Sequence, residues 1–123
     1  TAALCKELGD AGENCVVSQV VRFPWDQSLP LVKQYTEALK KFSPSDSPDF
    51  VSLEGYLVGR LFIDAAKAAG ENLTRESLIT AVNSTKTFDI GGVTLEFGEN
   101  DHQGMDEVFL TIIKNGKIQP LSE

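Results

Sequence analysis

The chain has 123 residues, 41% of them hydrophobic, which suits one compact domain with a core of its own. Its net charge is −7, from 11 basic and 18 acidic residues, and no Lys/Arg cluster is present to neutralise phosphates, which argues against a nucleic-acid groove. No apolar run is long enough for a transmembrane helix.

The opening "TAALCKELG" reads as the middle of a helix that closes at Gly9 and Gly12, with no initiator Met and no basic leader before it. The start is therefore expected to be a cut end. "CVVSQVVRF", Cys15 to Phe23, is nearly continuous in apolar and β-branched residues, as in a strand covered on both faces within a parallel sheet. "PWDQ" breaks it. A helix over 29–42 follows, with Ser28 as its cap and Pro30 in the first turn. Leu31, Tyr35, Ala38, Leu39 and Phe42 supply its apolar face.

"SPSDSP" is a turn segment, and a long apolar helix over 52–69 then stops at Gly70. Arg60, Asp64, Lys67 and Glu71 form its polar stripe, with Val58, Leu61, Phe62 and Ala65 opposite. Glu54 projects onto that apolar side. Thr74 caps a helix over 74–83, where Leu73 and Leu78 stand at staple spacing and Leu78, Ile79 and Val82 face inward. Strands are expected at 92–97 and 107–113, and Asn115-Gly116 marks a type I′ hairpin into "KIQP". The fold class is α/β, with too few strands to cover three helices, so part of the sheet is expected to lie outside this chain.

Little of this chemistry is catalytic. The one histidine, His102, sits in the polar stretch "GENDHQGMDE", with Asp101, Asp106 and Glu107 around it but no nucleophile or orienting partner in view. A metal or acid/base role there is weaker than a solvated loop. Gly91-Gly92 precedes a strand rather than a helix, so it is not a phosphate loop. The tripeptides Asn72-Leu73-Thr74 and Asn83-Ser84-Thr85 match a glycosylation pattern that arises often by chance. Cys5 and Cys15 fit either a disulfide in an oxidising compartment or two buried thiols. Metal-ligand spacings are absent, and no cofactor is indicated. Phe23 and Trp25, just past the carboxyl end of the first strand, stand at a natural cleft edge or else cover the end of the core.

Taken in order, "CVVSQVVRFPWD", the Ser-Leu-Pro helix start, "FVSLEGYLVGRLF", "LTRESLITAV", "FDIGGVTLEFG", "DHQG" and "DEVFLTIIKNGKIQPL" resemble one family. It is that of the type I periplasmic substrate-binding proteins of branched-chain-amino-acid-type ABC transporters, the leucine/isoleucine/valine-binding-like receptors. The likeness is to their C-terminal third and covers nearly the whole chain. Cys15 departs from it, standing where an aliphatic residue is expected.

The resemblance implies two three-layer α/β/α lobes joined by three crossovers, of which this chain is an incomplete part. Residues 1–20 would belong to the second lobe, 21–97 to the first, and 98–123 would cross back to the second. Hinges would lie at Val20–Pro24 and Gly98–Gly104, including Val20, Val21, His102 and Gly104. Phe50, Val51, Ser52, Leu53 and Glu54 would line the cleft, with Glu54 accepting hydrogen bonds from a ligand's ammonium or hydroxyl.

The implied function is non-catalytic: an exported periplasmic or extracellular protein that captures an amino acid or related carboxylate for a membrane permease. The missing N-terminal part, or a second copy, would cover the uncovered helix face. The alternative is a ligand-sensing domain of a signalling receptor with the same fold, which a transmembrane or kinase segment in the full gene would reveal. A hydrolase built on His102 ranks behind both.

Overall fold

The computed structural model describes residues 1–121, so the last two positions of the expected 98–123 segment lie outside the described residues. A short helix α1 (Ala2–Leu8) runs through a 3₁₀ turn (Gly9–Gly12) into β1 (Val16–Gln19). Three helices follow: α2 (Pro30–Phe42), α3 (Phe50–Ala69) and α4 (Arg75–Thr85). Four strands close the chain: β2 (Thr87–Asp89), β3 (Thr94–Glu96), β4 (Phe109–Lys114) and β5 (Lys117–Pro120).

The strands form two separate sheets, a three-stranded one in the order β1-β4-β5 and the β2-β3 hairpin. β1 is not a parallel strand covered on both faces: it pairs antiparallel with β4, from Val16 opposite Ile112 to Gln19 opposite Phe109. Val16 is 53% exposed and Val20 is 60% exposed, so half of the apolar run faces outward. Asn115 and Gly116, with φ of 51° and 67°, make the expected I′-type turn between β4 and β5.

β2 was not expected, and the strand placed at 92–97 is shorter. Gly91 and Gly92, with φ of 63° and 86°, form a second tight turn, and the Ile90 N–H reaches the Val93 carbonyl at 2.8 Å. The result buries Phe88, Ile90, Val93 and Leu95 on one side of the hairpin. They pack with Leu31, Val32 and Tyr35 of α2 and with Phe50, Leu53 and Leu57 of α3 into the main core. Each such side chain contributes about 1.5–3 kcal/mol when fully buried.

The helix ends differ in instructive ways. Thr74 caps α4 as expected: its hydroxyl accepts from the Ser77 N–H, and the Ser77 hydroxyl accepts from the Thr74 N–H, a reciprocal capping box. Ser28 does not cap α2. Leu29 stands at the cap position and Pro30 at the first turn, while the Ser28 N–H and hydroxyl both donate to the Asp26 carboxylate. α3 begins two residues early, at Phe50.

Helix faces also depart from the expectation. Phe42 is 92% exposed, because α2 buries only its first half. Ile79 is exposed, and Ala81 is the buried residue of α4. On α3, Val58 and Phe62 are exposed and Leu61 is half-buried, while Ala65 is buried where α4 packs against the helix. Glu54 is exposed too. It lies about 100° round the helix from the buried Leu53, on a face that borders an open hollow rather than the core.

Candidate functional site

Past β1 the chain turns over its own core. Val21 and Pro24 are buried, so the residues between and after them, Phe23 and Trp25, are held at the surface by anchored neighbours. Phe50, the first residue of α3, meets both. The ring centroids of Phe23 and Trp25 are 4.9 Å apart, those of Trp25 and Phe50 are 5.7 Å apart with near-perpendicular planes, and those of Phe23 and Phe50 are 6.1 Å apart. Edge-to-face packing of this kind fixes ring orientation beyond what area burial gives.

This cluster forms one wall of an open cavity of about 670 Å³, whose other wall is built from β4 and β5, including Phe109, Leu110 and Pro120. Arg22, on the loop that carries Phe23 and Trp25, reaches across to Glu107, just before β4. Arg22 Nη2 lies 3.0 Å from Glu107 Oε2, and its guanidinium carbon lies 4.4 Å from the centroid of the Phe109 ring. Asp26 also lines the cavity. The Ser28 hydroxyl and backbone N–H, donating to its Oδ1, hold its carboxyl below the usual aspartate range; a small desolvation effect opposes this and the Arg22 charge adds to it.

The residues expected to line the cleft do not stay together. Phe23, Trp25 and Phe50 come together as described. Ser52 and Leu53 serve the fold: the Ser52 hydroxyl shares a 2.6 Å hydrogen bond with the Tyr35 hydroxyl, and Leu53 is fully buried in the core with no surface to offer a ligand. Val51 is 70% exposed. Glu54 lies instead in a smaller hollow of about 270 Å³, with Val20, Val21, His102 and Gly104. The four residues expected at the hinges thus meet in one place, beside the carboxylate expected to face ligand.

At the start of α3 the Tyr35 hydroxyl accepts from the Asp49 N–H at 3.0 Å, and Asp49 Oδ1 is buried without a hydrogen-bond partner among the described residues. Cys5 and Cys15 are both free thiols here, and Cys5 Sγ donates to the Gly116 carbonyl at 3.4 Å. His102 is exposed, and among the described residues no three His, Cys, Asp or Glu side chains converge as metal ligands. Asp101 and Asp106 accept hydrogen bonds from Gln103 instead.

Sequence reasoning missed Arg22, Asp26 and Phe109 as members of the site. The run "RFPWD" did place Arg22 and Asp26 on either side of the two aromatics, so only the places of Glu107 and Phe109, which arrive with β4, were beyond local reading.

Residues 2–117 match the periplasmic binding protein family. The chain belongs to that family. No curated protein matches it. Among solved structures, a possible leucine/isoleucine/valine-binding protein from Rhodopirellula baltica is 38% identical, with a TM-score of 0.89 over 98% of this chain and 32% of its own. An extracellular ligand-binding receptor from Verminephrobacter eiseniae is 27% identical, with a TM-score of 0.82 over 97% of this chain and 35% of its own. A branched chain amino acid ABC transporter protein from Thermus thermophilus, solved with bound valine, shares the fold at 19% identity and a TM-score of 0.77, over 99% of this chain and 36% of its own.

The chain therefore spans about a third of the length of the solved structures it matches. Its fold is a part of the type I periplasmic-binding-protein fold, α/β as expected, and the relatives so named are binding proteins. No described helix is long and apolar enough to cross a membrane.

Proposed function

We propose that this chain is part of an exported solute-binding protein that captures an amino acid or related carboxylate in a cleft between two lobes. It then hands the solute to the membrane permease of an ABC transporter. The observation that carries this reading is the open cavity between the Phe23–Trp25–Phe50 cluster and the β4–β5 sheet. An apolar wall with a few placed polar groups is what a small-solute site needs. The solved relatives named as binding proteins support capture rather than catalysis as its use.

In this reading β1, β4 and β5 belong to one lobe and α2 to α4 with the β2-β3 hairpin to the other. The hinges lie at 20–24 and 98–104. Phe23, Trp25 and Phe50 contact the solute's apolar body. Val51 and Glu54, exposed at the start of α3, become ligand-facing only if the rest of the protein brings the cleft to them. The names of the relatives support an amino acid as solute, valine in one case.

The test is titration calorimetry of L-leucine, L-isoleucine and L-valine against the full-length protein and its Trp25→Ala variant. Loss of a large aromatic contact should weaken binding about tenfold or more. Equal affinity in the variant would remove Trp25 from the site, and no binding of any amino acid would overturn the solute class. A transmembrane or kinase segment in the full gene would favour the sensor reading.

A further inference from the structure

Two stretches join the β1-β4-β5 sheet to the rest of the molecule: one runs from β1 to α2, the other from β3 to β4. The β1-β4 ladder ends where Gln19 faces Phe109. Beyond it, no backbone hydrogen bond joins residues 20–24 to residues 104–108 among the described residues. Among the described residues, one side-chain hydrogen bond spans the gap. Arg22 in the first stretch donates to Glu107 in the second at 3.0 Å and lays its guanidinium over the ring of Phe109, 4.4 Å from the centroid.

The flat face and one edge of the guanidinium are thus both in use, a combination that Lys cannot reproduce. The ion pair alone is weak, since its side chains are 38% and 55% exposed and such pairs are screened by water. Stacking on Phe109 adds a second contact on the same side chain and limits the rotamers from which the pair must form.

We infer that Arg22 is a positioning residue of the cleft: it clasps the two joining stretches so that they move together and hold the cavity walls at a set separation. The clasp rests on the geometry above. Its effect on solute capture rests on the binding function proposed here, and the two are separable by experiment.

Hydrogen exchange in the ligand-free, full-length protein reads the clasp directly. Arg22→Ala should speed exchange about fivefold in residues 20–24 and equally in 104–109, leaving α4 unchanged. Arg22→Lys should fall between wild type and Arg22→Ala. Glu107→Gln, a mild change at an exposed carboxylate, should speed exchange in 20–24, far away in sequence. A change confined to the mutated stretch, or none, overturns the inference. Calorimetry with L-valine then reads the consequence, a drop in affinity of about fivefold for Arg22→Ala. If wild type binds no amino acid while the exchange result holds, the clasp stands and the solute class falls.

Discussion

At Gly91 one added methyl group meets the backbone of another element. A Cβ there would lie 2.7 Å from the Leu31 nitrogen, and the Leu31 N–H donates to the Gly91 carbonyl at 2.9 Å. The residue's φ of 63° adds a second reason, since L side chains rarely adopt it. Gly91→Ala should therefore cost about 2 kcal/mol or more, read as a lower urea midpoint. Gly92→Asn is the control. Its φ is also positive, but a Cβ there meets only Pro30 Cδ, at 3.8 Å, and Asn tolerates that region, so its cost should stay below about 1 kcal/mol. Equal losses at the two sites would show that the turn, not the contact with α2, sets the requirement. Asp26 gives a residue-scale prediction in pH. Its carboxyl is held low when folded, so it adds stability above the ordinary aspartate pKa of about 3.9 and loses it as acid passes below the folded value. The stability gap between wild type and Asp26→Asn should be present at neutral pH and close in acid. A gap that widens as pH falls would reverse the assigned sign.

Among the elements, α4 shows what a local pattern can carry. Its cap was legible because Thr74 and the donors it satisfies lie within one turn. Thr74→Ala should cost about 1 kcal/mol, and Ser77→Ala should remove the other half of the same box. The two losses should not add, because each variant already breaks the reciprocal pair. An additive double variant would mean that Ser77 acts alone. α2 and α3 show what such patterns leave out. Periodicity told which residues share a face of α2, yet it could not tell that only the first half of that face is buried. It likewise placed Glu54 on an apolar side without telling whether this chain covers that side. β1 was recognisable as a strand from its β-branched run, but the run does not encode which strand lies beside it, and antiparallel β4 lies far along the chain. The β2-β3 hairpin was legible in principle, since Gly91-Gly92 falls between alternating apolar residues. Of the site, the two aromatics after β1 and Phe50 were readable, while Arg22's partners Glu107 and Phe109 were not, because only the fold brings β4 to them.

At the scale of the molecule, the outward face of α3 sets the behaviour expected of the chain in isolation. Val51, Val58 and Phe62 recur at helical spacing and are 70%, 58% and 54% exposed. Gly55 and Gly59 lie on the same helix with open space where a Cβ would be, at a cost of about 1 kcal/mol each in helix stability and with no contact in this chain to offset it. Small and apolar residues side by side suit a surface that approaches closely, and the chain spans only about a third of the solved structures it matches. We propose that the remainder of the same longer protein covers this face. Burying the three side chains would contribute about 1.5–3 kcal/mol each, enough to favour association when the natural cover is absent. The isolated chain of 13.4 kDa should therefore sediment as a dimer or larger species at micromolar concentration. Val58→Asp with Phe62→Asp should return it to monomer, and supplying the rest of the protein in trans should compete with self-association. Losing the cleft's other contacts should also leave the isolated chain binding L-valine weakly or not at all. A stable monomer that binds L-valine tightly would overturn both expectations, because it would place the whole site, and a complete core, within these 123 residues.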